Sequence, residues 1–482
     1  MLRHQTAYPL NEGGCFLEKP WETGERERAL KRTFLPCRGN HLNPTRMIAL
    51  GFGVIILLGT ILLHLPVSAR DGRFTPWLIC LFTATSATCV TGLVQVDTFL
   101  HWTPFGQGVV LILLQLGGLG FVTLMTLVSL ALRRRIGLSQ RLVMASALNL
   151  SQTSGVVRVV RHALMGTFLL EGVGALLLST RFVPRFGPGR GLWFSIFHSV
   201  SAFCNGGFDL MGEYTGPFSS LAGFQSDPVV LTTIMVLIVT GGMGFFVWED
   251  WLEHKNWKGL SLYTKLVLAI TAGLILFGWL FFLAAEWDNP ATLGEMAPGE
   301  KLLNALFQSV TLRTAGYATL DQGGLTDSSA ALSILLMLVG GSSGSTAGGV
   351  KTVTAGVLVL SLWESLRGRE QVVVRGRTIP ARRVLDAMTL TMAVLLLFVA
   401  GSMALSVLDG LPYLTASYEV ASALATVGLS MGATPGLSPA SSLLIVLFMY
   451  LGRVGILSFS IAFLTRRSDS KLRYPTADMM IG

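Results

Sequence analysis

Four stretches of this chain end in a turn of small residues, and "SVTLRTAGYATLD" at residues 309–321 is one of them. Its last matching glycine, Gly316, has counterparts at Gly92, Gly207 and Gly428, and the intervals are 115, 109 and 112 residues. Spacing this even marks one unit repeated four times. Glycine adopts backbone angles that other residues avoid, so such turns can aim successive carbonyl oxygens to one side. Four sets of carbonyls meeting on an axis can replace the water shell of a bare cation.

Such turns need a scaffold. Of the 482 residues, 51% are hydrophobic and 13% charged, against roughly 25% charged in soluble domains, and the mean hydropathy is +0.61. "MIALGFGVIILLGTILLHL" and "LVLAITAGLILFGWLFFLAA" are each long enough to cross about 30 Å of hydrocarbon as a helix. A long apolar segment, a short semi-polar segment with its turn, and a second long apolar segment recur four times. First helices are expected over residues 47–65, 161–178, 263–285 and 384–408, and second helices over 107–132, 229–251, 330–363 and 441–464. The intervening 77–93, 192–208, 301–317 and 413–429 are too short to cross and return, so each reads as a half-crossing helix followed by an extended turn. Non-helical backbone at membrane depth is tolerated only when buried in protein or lining a watery cavity. The expected fold is therefore an all-α polytopic membrane protein of four helix–pore loop–helix repeats around a pseudo-fourfold axis. Residues 1–46 form a cytosolic extension, 47–132, 133–251, 252–364 and 365–464 the repeats, and 465–482 a cytosolic tail.

The net charge of +9 raises nucleic acid as a partner, but its distribution argues for a lipid bilayer instead. Basic clusters in "LRRRIGLSQR", "RGREQVVVRGRTIPARR" and "TRRSDSKLR" alternate with less basic loops such as "EWDNPATLGEMAPGE", as the positive-inside rule expects. The basic loop "TRFVPRFGPGRG" on the opposite side departs from it. Cys15, Cys37, Cys80, Cys89 and Cys204 are odd in number and widely spaced, which suits reduced thiols. The start of the chain lacks the apolar core and cleavage site of a signal peptide. An intramembrane hydrolase would need a nucleophile and base, or clustered ligands, at one depth; the scattered His64, His101, His162 and His198 offer none, and no enzyme activity or covalent cofactor is expected.

Within the second helix of repeat 3, "GGSSGSTAGGVK" at residues 340–351 cannot be firm helix, since each glycine costs roughly 1 kcal/mol there relative to alanine. A nucleotide P-loop is rejected because Val350 separates Gly349 from Lys351 and the preceding "ALSILLMLV" is apolar helix, not a strand. Arg453, in "YLGRVGILSF", is an intramembrane charge and so a functional candidate, or else half of an ion pair with Glu419. Glu171 is read as structural and His198 as a scaffold hydrogen-bonding group. Asp209 and Asp321 are either cation-concentrating groups at a mouth or solvated loop carboxylates. Gly117 with Gly118 and Gly241 with Gly242 permit close helix contact or hinging, and are read as sites of close packing.

The pieces "FTATSATCVTGL", "FHSVSAFCNGGFD", "VTLRTAGY", "YEVASALATVGLS", "GGSSGSTAGGVK", "YLGRVGILSF" and "KLRYPTADMMIG" together resemble the Trk/Ktr/HKT superfamily of potassium transporters, and within it the KtrB-type subunits of bacterial Ktr systems. The resemblance covers residues 43–482. It implies potassium as the transported ion, with sodium as a candidate coupling ion, through a filter made by Val90, Thr91 and Gly92, by Asn205, Gly206 and Gly207, by Thr314, Ala315 and Gly316, and by Thr426, Val427 and Gly428. In plant relatives serine at the first glycine accompanies sodium selectivity, so Gly92 implies potassium. It further implies a gate of Gly340, Gly341, Gly344, Ser345, Thr346, Gly348, Gly349 and Lys351 beneath the filter, with Arg453 as an electrostatic barrier. A homodimer docked on a cytosolic KtrA-type nucleotide-binding ring, in a bacterial inner membrane with both termini cytosolic, completes the expectation. A Trk-type subunit is the alternative, which the ending "KLRYPTADMMIG" disfavours.

Overall fold

The computed structural model describes residues 44–120, 156–369, 371–374 and 376–455. The expected extension up to residue 43, the junction of repeats 1 and 2, the end of the last helix and the C-terminal tail lie outside the described residues. Repeat 1 holds α1 (Pro44–His64), α2 (Trp77–Cys89) and α3 (Pro104–Leu119). Repeat 2 holds α4 (Val156–Phe186), α5 (Pro188–Phe203), α6 (Pro228–Met243) and α7 (Phe245–His254). Repeat 3 holds α8 (Leu262–Glu286), α9 (Pro298–Thr311), α10 (Asp327–Leu338) and α11 (Thr352–Leu366). Repeat 4 holds α12 (Ala381–Asp409), α13 (Tyr413–Ala425) and α14 (Pro439–Val454).

The opening helices α1, α4, α8 and α12 are long and apolar enough to span a membrane. Their outward Leu57, Leu176, Leu280, Leu396 and Val407 are exposed, as a lipid-facing surface requires. α4 extends beyond the expected 161–178 at both ends. The short helices α2, α5, α9 and α13 have 13, 16, 14 and 13 residues, which at 1.5 Å per residue reach roughly 20–24 Å, less than the hydrocarbon core. Proline begins all four, as N-cap at Pro76 and Pro412 and at the first turn at Pro188 and Pro298, where its missing N–H costs nothing. The following helices are capped in the same way each time. Thr103, Asp227, Thr326 and Ser438 side chains accept hydrogen bonds from the backbone of the first turn of α3, α6, α10 and α14.

The repeats close on themselves. α3 packs on α5, α6 on α9, α10 on α13, and α14 returns to α2. The second helix of each repeat thus supports the short helix of the next, in the order 1, 2, 3, 4, 1, about a common axis.

One expectation needs correcting. A break was expected only in repeat 3, where α10 and α11 are indeed separated by residues 339–351. The second helix of repeat 2, expected to run unbroken over 229–251, bends by 90° between α6 and α7. The hinge is Gly244, at φ 91, just beyond the Gly241–Gly242 pair. α3 and α14 also end at glycines of positive φ, Gly120 at 78 and Gly455 at 88, at corresponding places in repeats 1 and 4. The remainders of the expected 107–132 and 441–464 lie outside the described residues. A Cβ at Gly244 would lie 2.7 Å from Ser342 Oγ, and an L side chain is strained at that φ. Gly244→Ala is therefore expected to lower the Tm of the detergent-purified protein by several degrees, whereas Gly108→Ala, which meets no neighbour within 4 Å, leaves it unchanged or raised.

A further departure is a two-stranded hairpin in the basic loop between repeats 3 and 4. β1 (Val373–Val374) pairs antiparallel with β2 (Arg377–Thr378), Val373 opposite Thr378.

Candidate functional site

The four turns meet on the axis with one backbone signature. Val90, Asn205, Thr314 and Thr426 are left-handed, with φ of 57, 60, 65 and 53. Three of them are β-branched, for which this conformation is an outlier, and strain repeated at equivalent positions points to function. Two residues on, Gly92, Gly207, Gly316 and Gly428 again have positive φ, of 98, 65, 83 and 98, while the residue between does not. In repeats 1, 2 and 4 the short helix ends in the same Schellman pair. Thr91 N donates to Ser86 O at 2.8 Å and Val90 N to Ala87 O at 3.1 Å; Gly206 and Asn205, then Val427 and Thr426, repeat the pattern. Repeat 3 replaces it with Ala315 N donating to Thr311 O at 2.9 Å. Four helix C-termini, each with partial negative charge, thus abut one small region.

Contacts between the turns form a closed ring. A Cβ at Gly92 would lie 2.7 Å from Gly206 O, at Gly207 2.8 Å from Ala315 O, and at Gly316 2.5 Å from Val427 O. At Gly428 it would strike Thr91 O, the tightest of the four. Each glycine therefore admits the carbonyl that precedes the glycine of the next repeat, and no side chain fits anywhere on the circuit.

The backs of the turns are held by hydroxyls. Ser86 Oγ accepts from Gly92 N at 3.1 Å and Ser422 Oγ from Gly428 N at 3.0 Å. Ser201 Oγ donates to Phe208 O at 2.8 Å and Thr311 Oγ1 to Tyr317 O at 2.6 Å, while Tyr317 OH donates to Phe208 O at 3.0 Å. Sequence reasoning missed these groups, although a hydroxyl five or six residues before each glycine is visible in all four motifs.

Beneath the ring, residues 339–351 form a compact loop. Val339 and Val350 make a parallel bridge, with Gly340 N donating to Val350 O at 2.9 Å. The loop sits in the α6–α7 elbow: Ser342 N donates to Gly242 O at 3.0 Å, Thr346 N to Gly241 O at 3.3 Å, and Phe245 N to Gly344 O at 3.0 Å. A Cβ at Gly348 would collide with Thr426 Oγ1, which puts the loop directly against the fourth turn. The Gly117–Gly118 and Gly241–Gly242 pairs do pack closely, against Thr88 O with Cys204 and against Phe203 O. Their carbonyls also hold the loop and its neighbouring arginine, a second role the sequence did not reveal.

Three cations surround this loop. Arg453 donates to Thr346 O on the loop and to Gly117 O and Gly118 O on α3. Lys351 Nζ donates to Ala347 O at 2.7 Å. Arg313, the arginine of "TLRTAGY" and unassigned by sequence reasoning, is 6% exposed and donates to Val339 O and Thr352 Oγ1, both at 3.0 Å. None has a carboxylate within ion-pair distance among the described residues. The ion pair between Arg453 and Glu419 is not formed. Glu419 instead accepts from Ser430 Oγ, Met431 N and Thr434 Oγ1, because its helix carries it behind the fourth turn and away from α14's end.

Glu171 accepts from Gln115 Nε2 at 3.3 Å and faces the Cys204 thiol at 3.9 Å, behind the second turn. His198 lies on α5 and hydrogen-bonds the scaffold. Asp209 Oδ1 caps Met211 N and Asp321 Oδ1 caps Gly323 N, both at 3.0 Å, so each carboxylate is anchored locally. Cys80, Cys89 and Cys204 are free and buried.

Among the described residues, four helices long and apolar enough to span a membrane, four half-crossing helices and a ring of strained turns at their meeting point define a multi-pass membrane protein of the pore-loop type. The chain belongs to the TrkH family of cation transport proteins, whose model matches residues 54–474. It is 40% identical to the potassium/sodium uptake protein NtpJ of Enterococcus hirae over 92% of this chain and 98% of that one. Ktr system potassium uptake protein B of Bacillus subtilis is 38% identical over 91% of this chain and 97% of its own. The fold matches the crystal structure of the potassium transporter TrkH from Vibrio parahaemolyticus with a TM-score of 0.70 at 19% identity, covering 89% of this chain and 86% of that one. These relatives carry transporter names, and the superfamily resemblance seen in the motifs is confirmed.

Proposed function

We propose that this chain is a KtrB-type potassium-translocating subunit, in which potassium crosses the cytoplasmic membrane through the ring of backbone carbonyls on the axis. The observation that carries this reading is the repeated strain: β-branched residues in left-handed backbone at equivalent places are retained in three repeats, each two residues before a ring glycine. Such turns supply fixed carbonyls to an ion that has shed its water. Glycine at all four ring positions, Gly92 included, supports potassium over sodium as the preferred ion. Relatives named for potassium uptake, one of them also for sodium, support the cargo and leave sodium as coupling ion or second substrate to the same assay.

The 339–351 loop is the gate on this reading. It lies against the fourth turn and is rich in small residues, so its rearrangement exchanges hydrogen bonds without displacing bulky packed side chains. Arg453 and Lys351 place positive charge below the ring and oppose the passage of a cation. A homodimer, a cytosolic KtrA-type nucleotide-binding ring that works the gate, and an inner-membrane location with both termini cytosolic belong to the same proposal. Expression in a potassium-uptake-deficient bacterium with a KtrA-type partner is expected to restore growth at low potassium, and reconstituted liposomes to take up rubidium. Absence of both with folded protein in the membrane would overturn the proposal. Rubidium uptake with and without sodium decides coupling.

A further inference from the structure

We propose that His198 and Glu419 are a matched pair of positioning residues for the ring, two struts that hold repeats 2 and 4 from behind and set how sharply the ring discriminates between cations. The inference rests on reading the ring as the ion path.

The two residues occupy the same place. Each stands nine residues before its ring glycine, on α5 and on α13, and each is 0% exposed. Each accepts a hydrogen bond from the backbone amide three residues beyond that glycine. Leu210 N donates to His198 Nε2 at 3.3 Å, and Met431 N donates to Glu419 Oε1 at 3.1 Å. A single side chain thereby ties the short helix to the strand leaving the turn, with the ring glycine between the two anchor points. The repeats that carry them face each other across the axis, since the packing runs 1, 2, 3, 4 around it. Repeats 1 and 3 have Thr83 and Phe307 at this place. Phenylalanine offers no acceptor, and Thr83 Oγ1 makes no hydrogen bond, so the ring is backed in two opposite quarters by a strut and in the other two by different means.

The chemistry of each strut is fixed by its other contacts. His198 Nδ1 lies 2.8 Å from Phe194 O, to which it must donate, so Nε2 is the bare acceptor of a neutral ring. An imidazolium would turn an N–H against the Leu210 N–H. Glu419 takes two hydroxyls besides, Ser430 Oγ at 2.5 Å and Thr434 Oγ1 at 2.6 Å. All three donors belong to the chain just past Gly428, and a carboxylate can accept them all. Neither residue touches the ring itself; both act through backbone that positions it.

The test compares variants that delete the acceptor with variants that keep it, in full-length protein reconstituted in liposomes, reading the ratio of rubidium to sodium flux. His198→Phe installs the residue that repeat 3 already tolerates here, and Glu419→Met keeps bulk; each is expected to lower the ratio about tenfold. His198→Gln and Glu419→Gln retain an acceptor near the lost atom and are expected to stay within about twofold of the parent. Hydrogen exchange over residues 207–212 and 428–434 gives a second readout, faster only where the acceptor is gone, and it applies to whichever variant of the pair folds. A parental ratio in folded His198→Phe and Glu419→Met, or an equal loss in the glutamine variants, overturns the proposal. A parent that passes no rubidium overturns the ion-path reading instead, and the two failures are distinct.

Discussion

Gly428→Ala is expected to lower selective cation uptake roughly ten- to hundredfold while leaving a folded, membrane-inserted chain. The added methyl meets Thr91 O, the carbonyl that repeat 1 presents to the ring, and the alanine must also hold φ 98. Neither demand can be met without moving one turn against its neighbour, and Thr91 is held in place by its bond to Ser86 O. Strain of about 1–3 kcal/mol at one such residue lowers rubidium uptake in liposomes roughly ten- to hundredfold if it falls on the conducting geometry. Gly436→Ala is the control, since it meets no atom within 4 Å and needs no positive φ. Parental uptake by folded Gly428→Ala would mean that ions do not use this ring.

Arg453→Gln is expected to raise flux, above all without a cytosolic partner. The guanidinium joins Thr346 on the 339–351 loop to Gly117 and Gly118 on α3, with no carboxylate in ion-pair distance among the described residues. A unit charge about 8 Å from a passing cation costs roughly 2 kcal/mol at an effective dielectric of 20, or about thirtyfold in rate. Glutamine removes that charge and, being shorter, at least one of the ties that hold the loop. Both losses act in the same direction, toward higher flux. Partner-free rubidium flux that is unchanged or reduced, from protein with a parental elution profile, would remove Arg453 from the gate and leave it as a helix tie.

The architecture was legible in the sequence because the membrane leaves few options. Apolar segments of spanning length must be helices, and a turn motif recurring every 109 to 115 residues can only be a repeated unit. The interrupted second helix of repeat 3 was legible too, because twelve residues of glycine, serine, threonine and alanine with one valine and one lysine cannot sustain a helix. Gly244 was not. Gly244 and the Gly241–Gly242 pair before it look like packing glycines of an apolar helix, and only the loop of repeat 3 seated in the elbow gives the backbone a reason to turn there. The alternative pairing of Glu419 with Arg453 failed for a related reason: Arg453 found backbone carbonyls and Glu419 hydroxyls and a backbone amide nearer at hand.

By itself, then, the sequence determined which segments cross, how many units there are and which four glycines correspond, because hydrophobicity and local backbone freedom are properties of short stretches. Only the tertiary structure decided what those glycines admit, what stands behind them and what Arg313 and Arg453 hold. The ring contacts and the bonds of Arg453 join residues one or more repeats apart, those of Arg313 span 26 and 39 residues of its own repeat, and a hydrogen bond between Arg453 and Gly117 leaves no trace in the local pattern of either segment.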